Sequence, residues 1–182
     1  MVATWFAGEG RVGQSAMFVH PLTPDDAPTY RDLRLRALRE HPQAFTSDWE
    51  DASQRPLEES RQRLASSGTA FWGAFDESGA LCGMVGLECS ARAKQRHRGT
   101  VVAMYVAPEA AGRGRGRELL RALMLHAKTI GLTDLGLTVT EGNTSALRLY
   151  REAGFAEFGT EPRAISVDGQ LLAKVHMHLH LL

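Results

Sequence analysis

The run Val106-Ala107-Pro108-Glu109-Ala110-Ala111-Gly112-Arg113-Gly114-Arg115-Gly116-Arg117-Glu118-Leu119-Leu120 limits the fold more than any other part of this chain. Before it, Val101 to Val106 is almost uninterruptedly apolar, as in a central strand covered on both faces, and Pro108 ends that strand. After it, Leu119, Leu120, Leu123, Met124 and Ala127 recur at helical spacing, predicting a helix from about Gly114 to Ile130 with Gly131 just past its end. A buried strand must therefore feed an amphipathic helix through a glycine-rich loop. Alternating glycines let backbone N–H groups converge on an anion at the helix N-terminus, where the helix dipole favours negative charge. A phosphate or pyrophosphate is the natural guest, and Arg113, Arg115 and Arg117 can add charge-assisted bonds from the rim.

Two familiar phosphate loops do not fit. A Walker A loop requires Gly-Lys-Ser/Thr, whereas Gly116 precedes Arg117-Glu118. A dinucleotide fingerprint requires a third glycine three residues after the second, and the two frames have Arg117 and Leu119 there. The bland alternative, a flexible Arg-Gly surface loop, is disfavoured by the strand before and the helix after.

The remaining pattern reads β, α, α, β, β, β, α, β, α, β, β. A first strand ends at Pro21, and Tyr30, Leu33 and Ala37 mark a helix that Pro42 breaks. A polar helix falls between Asp48 and Ser66, broken or started near Pro56. Thr69–Phe75 and Ala80–Cys89 are strands joined by Asp76-Glu77-Ser78-Gly79; Ala91–Arg98 is a basic loop. Leu135–Val139 is a strand, Thr144–Ala153 a helix closed by Gly154, and Asp168-Gly169 joins the last two strands. The first sixteen residues show no period and read as a flexible extension, leaving 17–182 as one domain. The fold class is α/β (α+β), with helices on both sides of a mixed sheet. The 21 Lys+Arg balance 21 Asp+Glu, which argues against a dedicated nucleic-acid binder. No apolar run is long enough to span a bilayer, and Cys82 and Cys89 form no CxxC pair, so a cytoplasmic protein without a disulfide framework is expected.

At Gly114 and Gly116 the sequence resembles the Gcn5-related N-acetyltransferase superfamily, whose acetyl-CoA loop has Gln or Arg, two spacers, Gly, a spacer, then Gly or Ala. Ala111 falls where Gln or Arg is usual. The downstream block also matches: Leu137-Thr138-Val139, Asn143, Ala146, Leu149-Tyr150 and Gly154-Phe155. The resemblance runs from about Phe18 to Leu182 and implies a mostly antiparallel sheet of about seven strands flanked by about four helices. It implies acetyl-CoA as co-substrate and no metal. Met104, Tyr105 and Val106 would pair with the pantetheine arm, Gly112, Arg113, Gly114, Arg115, Gly116 and Arg117 would surround the pyrophosphate, and Asn143 would contact the pantetheine side. Tyr150 would sit near the thioester sulfur. A phenol, with a reference pKa of about 10, keeps its proton near neutrality and can protonate the departing thiolate, so Tyr150 is the general-acid candidate.

Direct attack by an amine needs a proton acceptor, for which Glu88 leads and His97 is second. Phe45 and Trp49 lie where such proteins place a substrate-covering loop; the alternative is a helix start capped by Thr46 or Ser47. His176, His178 and His180 share one strand face, which a half-exposed strand explains better than a metal. Arg92, Lys94, Arg96 and Arg98 are candidates for the 3′-phosphate or a substrate anion. The expected activity is acetyl transfer to a primary amine of a small molecule. Acetylation of a protein N-terminus or lysine, and an inactive acyl-CoA-binding module, are the alternatives. No nucleic-acid or membrane partner is expected, and a homodimer is left open. Three Lys against eighteen Arg point to a high-GC, bacterial genome. The overall neutrality is a cancellation: residues 91–121 hold eight basic and two acidic groups, and residues 40–60 six acidic and one basic. A basic cofactor side facing an acidic acceptor side is the expected arrangement.

Overall fold

The computed structural model describes residues 18–181, so the expected N-terminal extension lies outside the described residues. Seven strands form one sheet in the order β1-β2-β3-β4-β5-β7-β6. They are β1 (Phe18–Pro21), β2 (Thr69–Phe75), β3 (Leu81–Cys89), β4 (Arg98–Val106), β5 (Asp134–Thr140), β6 (Ala156–Val167) and β7 (Gln170–His180). Every neighbouring pair is antiparallel except β4 with β5. The helices are α1 (Ala27–Glu40), α2 (Trp49–Gln54), α3 (Leu57–Ala65), α4 (Arg115–Thr129) and α5 (Thr144–Glu152). Pro56 divides the expected polar helix into α2 and α3, because residues ahead of a proline are pushed out of helical geometry: Arg55 has ψ 139°.

Each face of the sheet has its own core. On one, Leu119, Leu120, Leu123 and Ala127 of α4 and Leu147 and Tyr150 of α5 pack on Trp72, Val85, Leu87, Leu135 and Met177. On the other, Tyr30, Leu33 and Ala37 of α1 and Leu64 of α3 pack on Phe71, Met84 and Tyr105. Phe71 and Trp72, adjacent on β2, thus serve opposite faces, as the two-residue strand period requires. The β6–β7 turn has Asp168 and Gly169 at φ 49° and 79°, two left-handed positions in a row, which matches the turn twist to that of the strands.

β4 is distorted in its middle. Val102 pairs with Gly86 and Tyr105 with Met84, so Ala103 and Met104 together oppose Val85 as a β-bulge. Ala103 has φ 55°, a left-handed conformation that a Cβ disfavours by about 1 kcal/mol. Replacing Ala103 with Gly is expected to hold or raise the melting temperature. Val at the same place is expected to lower it by roughly 2–6 °C, read by thermal denaturation followed by circular dichroism.

Candidate active site

The site begins where two parallel strands part. β4 and β5 pair from Arg98 opposite Asp134 to Thr100 opposite Gly136, and no further. β4 remains paired with β3 as far as Val106 opposite Gly83, so its other edge, from Val101 on, opens onto a wedge. A cavity of about 500 Å³ has residues 101–104 of β4 on one wall and 136–140 of β5 on the other. A second cavity, about 930 Å³, shares Met104, Thr140, Asn143 and Ala146 with the first and extends to Tyr105, Val106 and Ala111 at the start of the glycine loop.

The strand-loop-helix unit forms as its glycines dictate. Gly112 and Gly114 have φ 74° and 78°, and Gly114 is the N-cap of α4 with no side chain to satisfy the first turn's N–H groups. Those amides and the helix dipole favour an anion. The three loop arginines diverge. Arg113 is exposed, and Arg117 pairs with Glu152 of α5 at 2.9 Å. Arg115 turns inward: it is buried and its Nη1 donates to Cys82 Sγ at 2.5 Å, so its guanidinium does not reach the loop rim.

α5 supplies two of the expected residues. Asn143 caps the helix, its Oδ1 accepting from Ala146 N at 3.1 Å and Ser145 Oγ at 3.0 Å, and it lines both cavities. Tyr150, two turns on, lines the smaller cavity, buried and edge-to-face with Phe155. Burial pushes its phenol above the ordinary value and keeps the proton on the oxygen.

Glu88 lies on the same cavity and accepts from Arg63 Nη2 at 3.1 Å. His97 is exposed and lines neither cavity. Phe45 lines both cavities beneath the Arg34 guanidinium, 4.8 Å from its ring centre, whereas Trp49 is exposed at the start of α2 and lines neither. The cap of α2 is Asp48, whose Oδ1 accepts from Asp51 N at 3.0 Å, in place of the expected Thr46 or Ser47. Those two instead meet cations: Thr46 Oγ1 accepts from Lys174 Nζ at 2.7 Å and Ser47 Oγ from Arg34 Nη2 at 3.1 Å. His178 and His180 both approach Asp134, at 2.8 and 3.4 Å, and His176 approaches Glu161 at 3.2 Å. The Thr133 hydroxyl, followed by these imidazoles, holds Asp134 down at about 2.

The expected charge arrangement is corrected. The basic loop 91–98 precedes β4 and the glycine loop follows it, so nine residues of strand, roughly 30 Å, separate them, too far for Arg92, Lys94 or Arg96 to join the glycine loop at one phosphate group. Asp48, Asp51 and Glu59 face an outer groove, not the wedge. Among the described residues lining the smaller cavity are Arg34, Arg63, Arg98 and Lys174, with Glu88 as the lone carboxylate. The polar end of the wedge is cationic.

Sequence reasoning also missed a chain of contacts at the strand exit. Tyr105 Oη donates to Glu40 Oε2 at 2.8 Å, Arg36 Nε donates to Glu40 Oε1 at 2.9 Å, and Arg36 grips Glu109 through Nη1 and Nη2 at 2.6 and 2.9 Å. Burial, then the Glu40 carboxylate, raises Tyr105 to about 12. The Arg36 guanidinium lowers Glu109 to about 2.

The acetyltransferase (GNAT) family model matches residues 34–155, more than half of the chain, and the chain belongs to that family. Mycothiol acetyltransferase of Thermobispora bispora is 31% identical over 135 residues, which is 73% of this chain and 44% of that protein. L-methionine sulfoximine/L-methionine sulfone acetyltransferase of Pseudomonas aeruginosa is 34% identical over 85 residues, 46% of this chain and 49% of that protein. The chain thus spans about half the length of these relatives. Among solved structures, a GNAT-family acetyltransferase from Streptococcus pneumoniae superposes with a TM-score of 0.81 at 23% identity, covering 90% of this chain and 99% of that one. A GNAT superfamily phosphinothricin acetyltransferase from Sinorhizobium meliloti, solved with AcCoA, gives 0.80 at 20% identity, covering 91% and 88%. These likenesses establish the fold.

Because its folded pKa is depressed, ionised Glu109 stabilises the fold above the unfolded carboxyl value, near 4.3, and that contribution is lost as pH falls through about 2. A carbon-detected NMR titration is expected to show Glu109 titrating near 2 in the native protein. In Arg36→Gln it is expected to return toward the ordinary glutamate value.

Proposed function

We propose that this chain transfers the acetyl group of acetyl-CoA to the primary amine of a small molecule, with both substrates bound at once. The observation that carries this reading is the wedge between β4 and β5, which runs from an anion-favouring helix N-terminus to a cavity with buried polar side chains. In this reading the α4 N-terminus and the glycine loop bind the pyrophosphate, and the free backbone edge of β4 around Met104 pairs with the amides of the pantetheine arm. A backbone N–H at the bulge polarises the thioester carbonyl as negative charge builds on its oxygen. The amine attacks the carbonyl carbon, the C–N bond forms, and the C–S bond breaks. The surplus proton of the amine leaves to Glu88 or to water. The departing thiolate receives a hydrogen bond and then a proton from Tyr150, which is reprotonated from solvent.

A cavity of about 500 Å³ between folded elements suits a small acceptor better than a protein surface. The relatives named for L-methionine sulfoximine and phosphinothricin support the same choice. Residues 17–182 are read as the single catalytic domain, acting in the cytoplasm.

Acetyl-CoA is expected to raise the melting temperature, and an assay of free CoA thiol across a panel of amines is expected to show amine-dependent release. Tyr150→Phe is expected to lower kcat by roughly 10²–10³-fold with acetyl-CoA affinity little changed. Gly114→Val, which sets a β-branched residue at positive φ, is expected to weaken acetyl-CoA binding instead. The absence of any thermal shift would remove acetyl-CoA from the reading. A shift without turnover on any amine would favour the inactive binding module.

A further inference from the structure

We infer that the acceptor amine also carries a carboxylate, and that Arg34 and Arg63 hold it at the wall of the smaller cavity. This rests on the acetyl-transfer reading above and adds the acceptor's chemical class to it.

Two guanidinium groups are fixed there by separate elements. Arg34 comes from α1, lies over the Phe45 ring at 4.8 Å and donates through Nη2 to Ser47 Oγ. Arg63 comes from α3, lies over the Phe71 ring at 5.1 Å and donates through Nη2 to Glu88 Oε1. The Phe71 ring is itself seated on β3 at Gly86, where a Cβ would come within 2.4 Å of its Cε1. Stacked and hydrogen-bonded on one side, each planar fork has lost most of its freedom before any ligand arrives, which lowers the entropy of ordering it on binding.

The site's donors exceed its acceptors. Arg34, on the cavity wall, keeps an Nη1 that is shielded from solvent and has no hydrogen-bond partner among the described residues. Buried donors are ordinarily paired, so this spare donor is one that an acceptor placed beside Arg34 would satisfy. The charge agrees in sign: four cations and Glu88 leave the cavity wall with an excess of three positive charges, which a carboxylate lowers. A carboxylate also offers two oxygens in the plane that an arginine fork matches. Lys174, on the same cavity, gives one of its three N–H donors to Thr46 and adds its charge to the wall as a single point, without the planar fork that matches a carboxylate.

This geometry also explains why a cation-selective acceptor site, the sequence-based expectation for residues 40–60, does not form. An amine with no anion would enter a cavity lined by four cations and one carboxylate. An amino acid brings its own countercharge, and its amine lies only two bonds from the carboxylate carbon.

The test is calorimetric titration of the protein–CoA complex with the proteinogenic amino acids and L-methionine sulfone, each against its α-carboxamide. At least one carboxylate is expected to bind roughly 30-fold more tightly than its amide, the scale of a charge-assisted hydrogen-bond pair. Arg34→Gln and Arg63→Gln are each expected to collapse that ratio to within about threefold, while acetyl-CoA affinity and amide binding stay put. Should Arg34→Gln fail to fold, Arg63→Gln decides alone, since its side chain is partly exposed. The inference is overturned if no carboxylate outbinds its amide, or if the preference survives Arg63→Gln. Failure of the acetyl-transfer reading would register separately, as no thermal shift with acetyl-CoA and no thiol release with any amine.

Discussion

Everything at this site depends on β4 and β5 ceasing to pair after Thr100 and Gly136. Parallel neighbours in the middle of a sheet ordinarily share a full ladder, and an interrupted ladder leaves backbone N–H and C=O groups without partners. The chain holds the gap open from both sides. The bulge at Ala103 and Met104 turns β4 while β3 keeps it in place, and β5 is committed along its whole length to β7, from Asp134 opposite His180 to Thr140 opposite Lys174. The result is an edge in the interior of a sheet, long enough to receive an extended molecule as if it were another strand. The gap opens onto members of one core, with Val101, Leu137, Val139, Tyr150 and Met177 lining the cavity, so an extended molecule lying there meets apolar side chains as well as the strand edge.

Much of this was legible in the sequence. The glycine loop was readable because only glycine adopts φ near 75° without strain, and Gly112 and Gly114 do so. The Asp168-Gly169 turn and the apolar stripe of α4 were readable for similarly local reasons. What escaped was set by tertiary contact. Arg115 occupies a rim position by spacing, yet it turns toward Cys82, and nothing in the local pattern specifies that direction. The acidic segment 40–60 is real, but Glu40 is spent on Arg36 and Tyr105, and Asp48 on capping α2. One signal was available for Arg34. Tyr30, Leu33, Arg34 and Ala37 are i, i+3, i+4 and i+7, so an arginine stands within the buried stripe of α1. A charge in that place has to meet something inside the protein.

Arg63 and Lys174 carried no such mark. Arg63 lies in a short polar helix, and Lys174 extends the alternation of His176, His178 and His180 by one step toward the wedge. Their importance arises from the sheet order, which brings β7 beside β5, and from the fold of α3 over β2. Long-range topology of this kind has no signature in a window of ten residues.

The contacts of α1 bear on how the two ends of the wedge are held in register. The helix carries Arg34 at the cationic wall, and Arg36 and Glu40, within two turns, clasp Tyr105 and Glu109 where β4 exits. A single rigid rod therefore gauges the span between the strand exit and the polar cavity. Alignment of the two ends is built in as a length, fixed by helix rise, instead of being left to the meeting of independent loops.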